Sequence, residues 1–149
     1  MNLYKKVEGI LYNFNEIKAE INSIEIEIEN IQLEYDEVPG ISYQEKTGKT
    51  NKFSSVVENE VIYRENLIIR LKRELNKKKA LIKKVDNAVS TLNETEKKLI
   101  EMRCFDKLQY KSIEQRLSIN KDYACELKRK CIEKMIPLIC VKEHYQEIP

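Results

Sequence analysis

Apolar side chains recur at a seven-residue spacing through the first 35 residues. Two interleaved sets are separated by alternating steps of three and four, which keeps both on one side of a helix. Between Ile24 and Glu29 the sequence also alternates as a strand does, but the heptad spacing continues on both sides and favours a helix. The pattern therefore predicts one long helix with a coiled-coil seam. The two sets are Leu3, Ile10, Ile17, Ile24, Ile31 and Val7, Phe14, Ile21, Ile28, Tyr35.

A second heptad run begins near Val57 and extends to Leu92. Between the two runs the pattern stops over residues 36–55, where Pro39 and Gly40 predict a helix end and an irregular loop. Two seams of nearly equal length predict a long antiparallel helical hairpin. The second run consists of Val61, Ile68, Leu75, Ile82, Val89 and of Val57, Arg64, Leu71, Lys78, Val85, Leu92.

The charge of the two runs supports this pairing. The segment from Met1 to Val38 has three basic and nine acidic residues, net −6, whereas Arg64 to Lys84 has nine basic and two acidic residues, net +7. Opposite charges favour the two helices lying together, within one chain or between two. The basic stretch is either a solvated face neutralised by the acidic helix or a surface that contacts phosphates. We expect the hairpin to form a homo-oligomer, with Ile26 and Leu33 available for a second contact.

The last third of the chain has the spacing of a helix-turn-helix unit. Asn93 and Glu96 form the pattern of a capping box, which predicts the start of a first helix. Apolar residues at helical spacing after this start predict that the unit has a hydrophobic interior. The sequence thus indicates an all-α chain with two domains, a hairpin over residues 1–90 and a helix-turn-helix unit over residues 91–149. The predicted elements are a helix from Glu94 to about Phe105, a helix from Tyr110 to Leu117, a turn at Ser118–Asn120, and a helix from Lys121 to about Met135, limited by Pro137.

The interior positions of this unit define the face that would meet DNA. We expect Ile113, Leu117, Ile119, Ala124 and Leu127 to be buried, which turns the opposite side of the last helix outward. Side chains at the start of such a helix approach base edges, and basic residues further along attract phosphates. The candidate DNA-binding residues are Gln109, Lys111, Asn120, Lys121, Asp122, Tyr123, Cys125, Glu126, Lys128, Arg129 and Lys130.

Two segments resemble known proteins. The stretch "LNETEKKLIEMRCFDKLQYKSIEQRLSINKDYACELKRKCIEKM", which starts at Leu92, resembles region 4 of sigma factors and its phage relatives. Upstream, "EYDEVPGISYQEKTGKTNKFSSVVENEVIYRE" resembles phage-encoded regulators of the ArpU/RinA type from prophages of low-GC Gram-positive bacteria. The resemblance implies a sequence-specific regulator that binds double-stranded promoter or operator DNA and activates phage late or packaging genes. It also implies a cytoplasmic, nucleoid-associated protein of the bacterial host that contacts the host RNA polymerase.

The sequence departs from that pattern at five places and leaves two other functions open. Two of the departures are acidic side chains on the face that would read DNA, Asp122 and Glu126. Glu114 stands where the family usually has Ala, Ser118 replaces the usual turn Gly, and Gln109 replaces a capping Ser or Thr. One alternative is a phage packaging protein of the small terminase type, which also combines a helix-turn-helix with oligomerising helices. The other is an adaptor that binds RNA polymerase and does not read DNA.

Composition argues against several other classes of protein. The longest apolar run in the 149 residues covers seven positions, including Pro137, so we expect no membrane association. The four cysteines form no Cys-x-x-Cys pair, and His144 is the single histidine, so we expect neither a metal site nor a cofactor. With no Gly-rich phosphate loop and no cluster of catalytic groups, the sequence predicts that the protein is not an enzyme.

Overall fold

The computed structural model describes residues 2–37 and 51–146, and every regular element in those ranges is a helix. The predicted all-α fold is therefore confirmed. Among the described residues, none of the helices has the length and apolar character that a membrane crossing requires. The elements are α1 (Leu3–Tyr12), α2 (Phe14–Glu37), α3 (Asn51–Ser90), α4 (Glu94–Ile100), a π-helical turn (Glu101–Phe105), α5 (Tyr110–Leu117), α6 (Lys121–Ile139) and α7 (Val141–Gln146).

The predicted single N-terminal helix is interrupted at Asn13, between α1 and α2. Asn13 has φ −97° and ψ 10°. Its N–H donates to the Gly9 carbonyl at 3.0 Å, and the Ile17 N–H donates to the Asn13 carbonyl at 2.8 Å. Asparagine weakens a helix because its side chain competes for backbone hydrogen bonds. The interruption is small enough for the heptad pattern to continue, and both Val7 and Phe14 are buried.

Both long helices extend into the segment that was predicted to be irregular, residues 36–55. Helix α2 continues to Glu37, and α3 begins at Asn51 rather than near Val57. A heptad pattern marks only the turns of a helix that bury apolar side chains. Val57, where the pattern begins, is already 40% exposed, so the pattern does not mark the turns of α3 that precede it. The proline-glycine turn predicted after α2, like the rest of residues 38–50, lies outside the described residues.

The chain divides into two compact units, one formed by residues 1–19 with 79–149 and the other by Glu20–Lys78. In the Glu20–Lys78 unit, Ile28, Ile31 and Leu75 are buried, and all three are predicted seam positions. An ion pair between Lys78 Nζ and Glu20 Oε2, at 2.6 Å, joins α3 to α2 in the same unit. Antiparallel pairing of the two helices over their whole length stays a prediction.

The other unit combines the C-terminal helices with residues 1–19 and 79–90, which the sequence assigned to the hairpin. Its core brings together side chains from α1, α2, α3, α4, α6 and the π-helical turn. The Phe14 ring stacks on Phe105 with 4.3 Å between ring centroids. Leu11, which lies off both predicted heptad sets, is fully buried here. The core residues include Val7, Leu11, Phe14, Val85, Ala88, Leu92, Ile100, Cys104, Cys131, Ile132, Met135 and Ile139.

A capping box begins α4, as predicted. The Glu96 N–H donates to Asn93 Oδ1 at 2.9 Å, and the Asn93 N–H donates to Glu96 Oε1 at 3.1 Å. The helix then widens into the π-helical turn, which the sequence did not predict. There the Asp106 N–H donates to the Glu101 carbonyl at 2.8 Å, and Cys104 turns into the core.

Helices α5 and α6 have the predicted start and end residues except at the end of α6. Ser118 closes α5 in the left-handed region, with φ 55° and ψ 40°, a conformation that glycine adopts at lower cost. Helix α6 was expected to stop before Pro137 but continues to Ile139. Proline lacks an N–H and removes one helical hydrogen bond. Burial of Met135 and Ile139 on either side keeps the last turn helical, and the Cys140 N–H donates to the Ile136 carbonyl at 2.8 Å.

Glu96 is a buried carboxylate with several hydrogen bonds, at 4% exposure. Its Oε2 accepts from Lys134 Nζ at 3.1 Å and from Cys131 Sγ at 3.3 Å. Burial raises the pKa of Glu96, but the hydrogen bonds from the Asn93 N–H, Lys134 and Cys131 outweigh it, so the pKa lies below its usual range. A carboxyl with a lowered pKa in the folded state stabilises the fold when it is ionised.

We predict that Glu96 makes the stability of this unit depend on pH. Glu96→Gln should lower the free energy of unfolding by about 1–3 kcal/mol at pH 7, because charged hydrogen bonds are lost. The folded-state pKa is lowered, so this difference is present above the unfolded pKa near ~4.3 and disappears as pH falls through the folded value. Urea denaturation from pH 7 to pH 3 measures it. The control is Glu94→Gln, an exposed residue of the same turn, which should show little difference at any pH. A pH-independent loss in Glu96→Gln would contradict the prediction.

Candidate nucleic-acid interface

The start of α6 presents an exposed turn to solvent. The Asn120 side chain caps the helix by accepting a hydrogen bond from the Tyr123 N–H at 2.8 Å. The three residues after the cap, Lys121, Asp122 and Tyr123, are all exposed, and Tyr123 has 55% of its surface accessible. The cap fixes where the helix begins, so these three side chains project from a defined backbone position.

A small apolar cluster supports this turn from behind. Leu99 of α4, Ile113 of α5 and Ala124 of α6 are fully buried against one another, as the predicted interior required for Ile113 and Ala124. Leu127 is partly buried and packs against this cluster and against the larger core of the unit, the one that contains Leu11. The small Ala124 side chain suits a close helix crossing. As a result α5 and α6 are held by packing on one side while the other side of the first α6 turns is open.

Arg129 lies between two carboxylates of its own helix. It pairs with Glu126 one turn before it, and its Nη1 donates to Glu133 Oε1 at 2.6 Å. The hydrogen bond from Arg129 lowers the pKa of Glu126. All three side chains are about half exposed. Arg129 was predicted to attract phosphates, and in this arrangement its charge is already balanced by two neighbours. Lys130, the next residue, is exposed and makes no such pair in the described part of the chain.

Lys128 lies in the interior rather than on the predicted DNA-facing side. Only 8% of the residue is exposed, and Nζ donates to Glu8 Oε2 at 3.0 Å and to the Tyr12 hydroxyl at 3.1 Å. Burial lowers the pKa of Lys128, but the hydrogen bonds to Tyr12 and Glu8 outweigh it, and the pKa is raised. The helical period explains the position, because Lys128 is four residues after buried Ala124 and three before buried Cys131. The sequence contained that signal.

Cys125 lies at the edge of the predicted face, with an intermediate exposure. It is half-buried and, with Tyr110, lines a cleft of ≈ 530 Å³. Burial, together with a hydrogen bond to Cys125, raises the pKa of Tyr110 to about 12. Arg103 covers the Tyr110 ring, with its guanidinium carbon 4.3 Å from the ring centroid. Cys125 therefore contacts α5 through Tyr110, and it lines an open cleft together with the exposed Arg129.

The other predicted site residues are exposed. Gln109, at the N-terminal end of α5, makes no side-chain capping hydrogen bond, and Lys111 follows it in the first turn. The exposed residues at the start of α5 and those along one side of α6 thus form an open surface. We call this surface the α6 face; it consists of Gln109, Lys111, Asn120, Lys121, Asp122, Tyr123, Glu126, Arg129 and Lys130.

Residues 3–137 match the family described as "Protein of unknown function (DUF722)". The match covers nearly the whole chain. The chain belongs to the DUF722 family. No curated protein and no solved structure is significantly similar to this DUF722 chain. Within residues 2–37 and 51–146, no three potential metal-ligating side chains lie close enough together to hold an ion.

We predict that the Lys128 interactions stabilise the unit far more than an exposed ion pair does. Glu8→Gln removes the negative partner of a buried ammonium group and should lower the free energy of unfolding by about 1–3 kcal/mol. The loss stays below the value for a fully buried pair because the Glu8 side chain is 32% exposed. The matched control is Glu16→Gln, which breaks the exposed ion pair with Lys107 in the same unit. It should leave the free energy of unfolding nearly unchanged, because water and salt screen an exposed ion pair. Equal losses in urea denaturation would show that the Lys128 pair is no different from a surface pair.

Proposed function

We propose that this chain is a sequence-specific regulator of transcription that binds double-stranded DNA through the first two turns of α6. One observation carries the proposal: Lys121, Asp122 and Tyr123 project from a capped helix start that packing fixes from behind. A helix held in this way can enter the major groove with its first residues at the base edges. Two segments carry the resemblance that supports an activator of phage late or packaging genes: the one that starts at Glu34 resembles ArpU/RinA-type regulators, and the one that starts at Leu92 resembles sigma factor region 4.

The α6 face offers both kinds of contact that such a protein needs. Lys121 and Tyr123 provide a donor and a ring at the helix start, and Asp122 can accept from the amino group of cytosine. Lys111 on α5 and Lys130 on α6 are exposed cations that suit phosphate oxygens on either side of a groove. Arg129 contributes less attraction than its charge suggests, because Glu126 and Glu133 pair with it.

The test is selection of bound duplexes from a random DNA pool by the purified full-length chain, followed by sequencing. The proposal predicts enrichment of one defined motif. A pool that remains random after selection, with no measurable binding by fluorescence anisotropy at low salt, would overturn the proposal.

Variants of the α6 face should separate sequence choice from phosphate attraction. Lys121→Ala should reduce discrimination between the selected site and a scrambled duplex by about 1–3 kcal/mol. Lys130→Ala should weaken binding to both duplexes equally and lower the salt slope by about one. Fluorescence anisotropy titrations at several salt concentrations measure both effects. The same-charge control is Lys142→Ala, an exposed lysine of α7 outside the α6 face, which should bind as the parent does. If Lys121→Ala and Lys130→Ala also bind every duplex as the parent does, α6 is not the DNA reader.

One observation favours a second candidate function, an adaptor that binds RNA polymerase and does not read DNA. Three carboxylates lie along the exposed side of α6, at Asp122, Glu126 and Glu133, and two of them neutralise Arg129. These carboxylates weaken the attraction of the surface for phosphates and suit a basic protein partner. Binding of purified polymerase together with a random result in the DNA selection would support the adaptor over the DNA reader.

A further inference from the structure

Helix α3 carries a strip of exposed side chains that is separate from its buried seam. Ile62 and Ile69 are 54% and 48% exposed and stand seven residues apart, on the same side of the helix. Charged and amide side chains at helical spacing continue this line in both directions, and all of them are exposed. We call this surface the α3 strip; it consists of Glu58, Asn59, Ile62, Glu65, Asn66, Ile69, Lys72 and Arg73.

The α3 strip is complementary to itself in the reverse direction. Around the midpoint between Glu65 and Asn66, residues at equal distance have matching chemistry. Ile62 mirrors Ile69, so an apolar residue meets an apolar residue. At the ends, Glu58 mirrors Arg73, and next to them Asn59 mirrors Lys72. Two copies of α3 laid antiparallel about a two-fold axis would therefore place isoleucine on isoleucine and carboxylate beside guanidinium, twice each.

The charges at the two ends of the strip have no ion-pair partner among the residues that the structure describes. This holds for Glu58 and Arg73, and for Lys72 beside them. Glu58 and Arg73 are fifteen residues apart on one helix, about 22 Å at a rise of ~1.5 Å per residue, so they cannot pair with each other inside one molecule. Only a second molecule can bring these two side chains together.

The exposed apolar residues of α2 do not offer the same match. Ile26 and Leu33 are 58% and 50% exposed. Residues 20–37 of α2, however, include seven acidic side chains and no basic one. Two copies of α2 would bring like charges together and repel each other. The mixed charge of α3 therefore favours the α3 strip as the surface where two copies meet.

We infer that the α3 strip is a symmetric interface that binds a second copy of this chain, with the two α3 helices antiparallel. Ile62 of each copy packs on the partner's Ile69, and Glu58 of each copy pairs with the partner's Arg73. The interface extends over the ~22 Å between Glu58 and Arg73. This inference goes beyond DNA binding and does not depend on it.

Charge exchange between copies tests the interface. In a dimer of the Glu58→Arg variant, two arginines, one from each copy, would face each other at each end of the interface. In a dimer of the Arg73→Glu variant, two glutamates would face each other there. Sedimentation velocity over a concentration series should show a dimer for the full-length parent and a dissociation constant about tenfold higher for either variant. An equimolar mixture of the two variants should recover the affinity of the parent, because a copy with two positive ends then meets a copy with two negative ends. The double variant Glu58→Arg with Arg73→Glu should recover it as well.

Two further variants keep the test decisive. Arg70→Glu reverses an exposed charge of the same helix outside the α3 strip and should leave the dimer unchanged. Ile69→Asp places a carboxylate against the partner's Ile62 and should abolish the dimer, while far-ultraviolet circular dichroism stays helical. A parent that is monomeric at every concentration would overturn the inference. So would an Ile69→Asp variant that remains dimeric, or charge variants whose mixture does not recover.

Discussion

The buried ammonium group of Lys128 is a constraint that joins the N-terminal helix to the C-terminal helices. Removing a lysine charge from water is costly unless nearby groups replace its hydration. Glu8 and Tyr12 do so, with Nζ 3.0 Å from the carboxylate and 3.1 Å from the hydroxyl. Both partners come from α1, at the other end of the chain. The core around them, including Val7 and Leu11, closes only when α1 lies on α6. The N-terminal helix is thus an integral part of the unit that carries the α6 face.

This arrangement divides the surface of α6 between two roles. One side, which includes Ala124, Lys128, Cys131 and Met135, is buried in the unit and sets the position of the helix. The other side leaves the first turns exposed, with Asn120 capping their start. A side chain that reads a base must come from a rigid element, because small displacements remove a hydrogen bond. The packing of α1 therefore serves the proposed function even though no residue of α1 belongs to the α6 face.

The sequence predicts the elements of this fold better than their contacts. Heptad spacing, the capping box at Asn93 and the turn at Ser118 are local patterns, so helix positions follow from them. Lys128 was predicted on the DNA-facing side because a lysine is normally exposed. Its partners in the interior, Glu8 and Tyr12, are remote in sequence. The pairs that Arg129 makes were within reach of the sequence, since Glu126 and Glu133 stand three and four residues away. The π-helical turn after Ile100 had no recognisable signal, because it arises from the packing of Cys104 and Phe105 into the core.

Native-state hydrogen exchange followed by mass spectrometry tests most directly whether α1 is part of the C-terminal unit. If Lys128 and the surrounding core hold α1 on α6, the amides of Leu3–Tyr12 and those of Lys121–Ile139 should exchange with the same opening free energy. In the Glu8→Gln variant the opening free energies of α1 and of α6 should decrease by the same amount, because one cooperative unit opens as a whole. Amides of α1 that exchange much faster than those of α6, with α6 unaffected by Glu8→Gln, would show that the N-terminal helix is an independent attachment and would contradict this view of the fold.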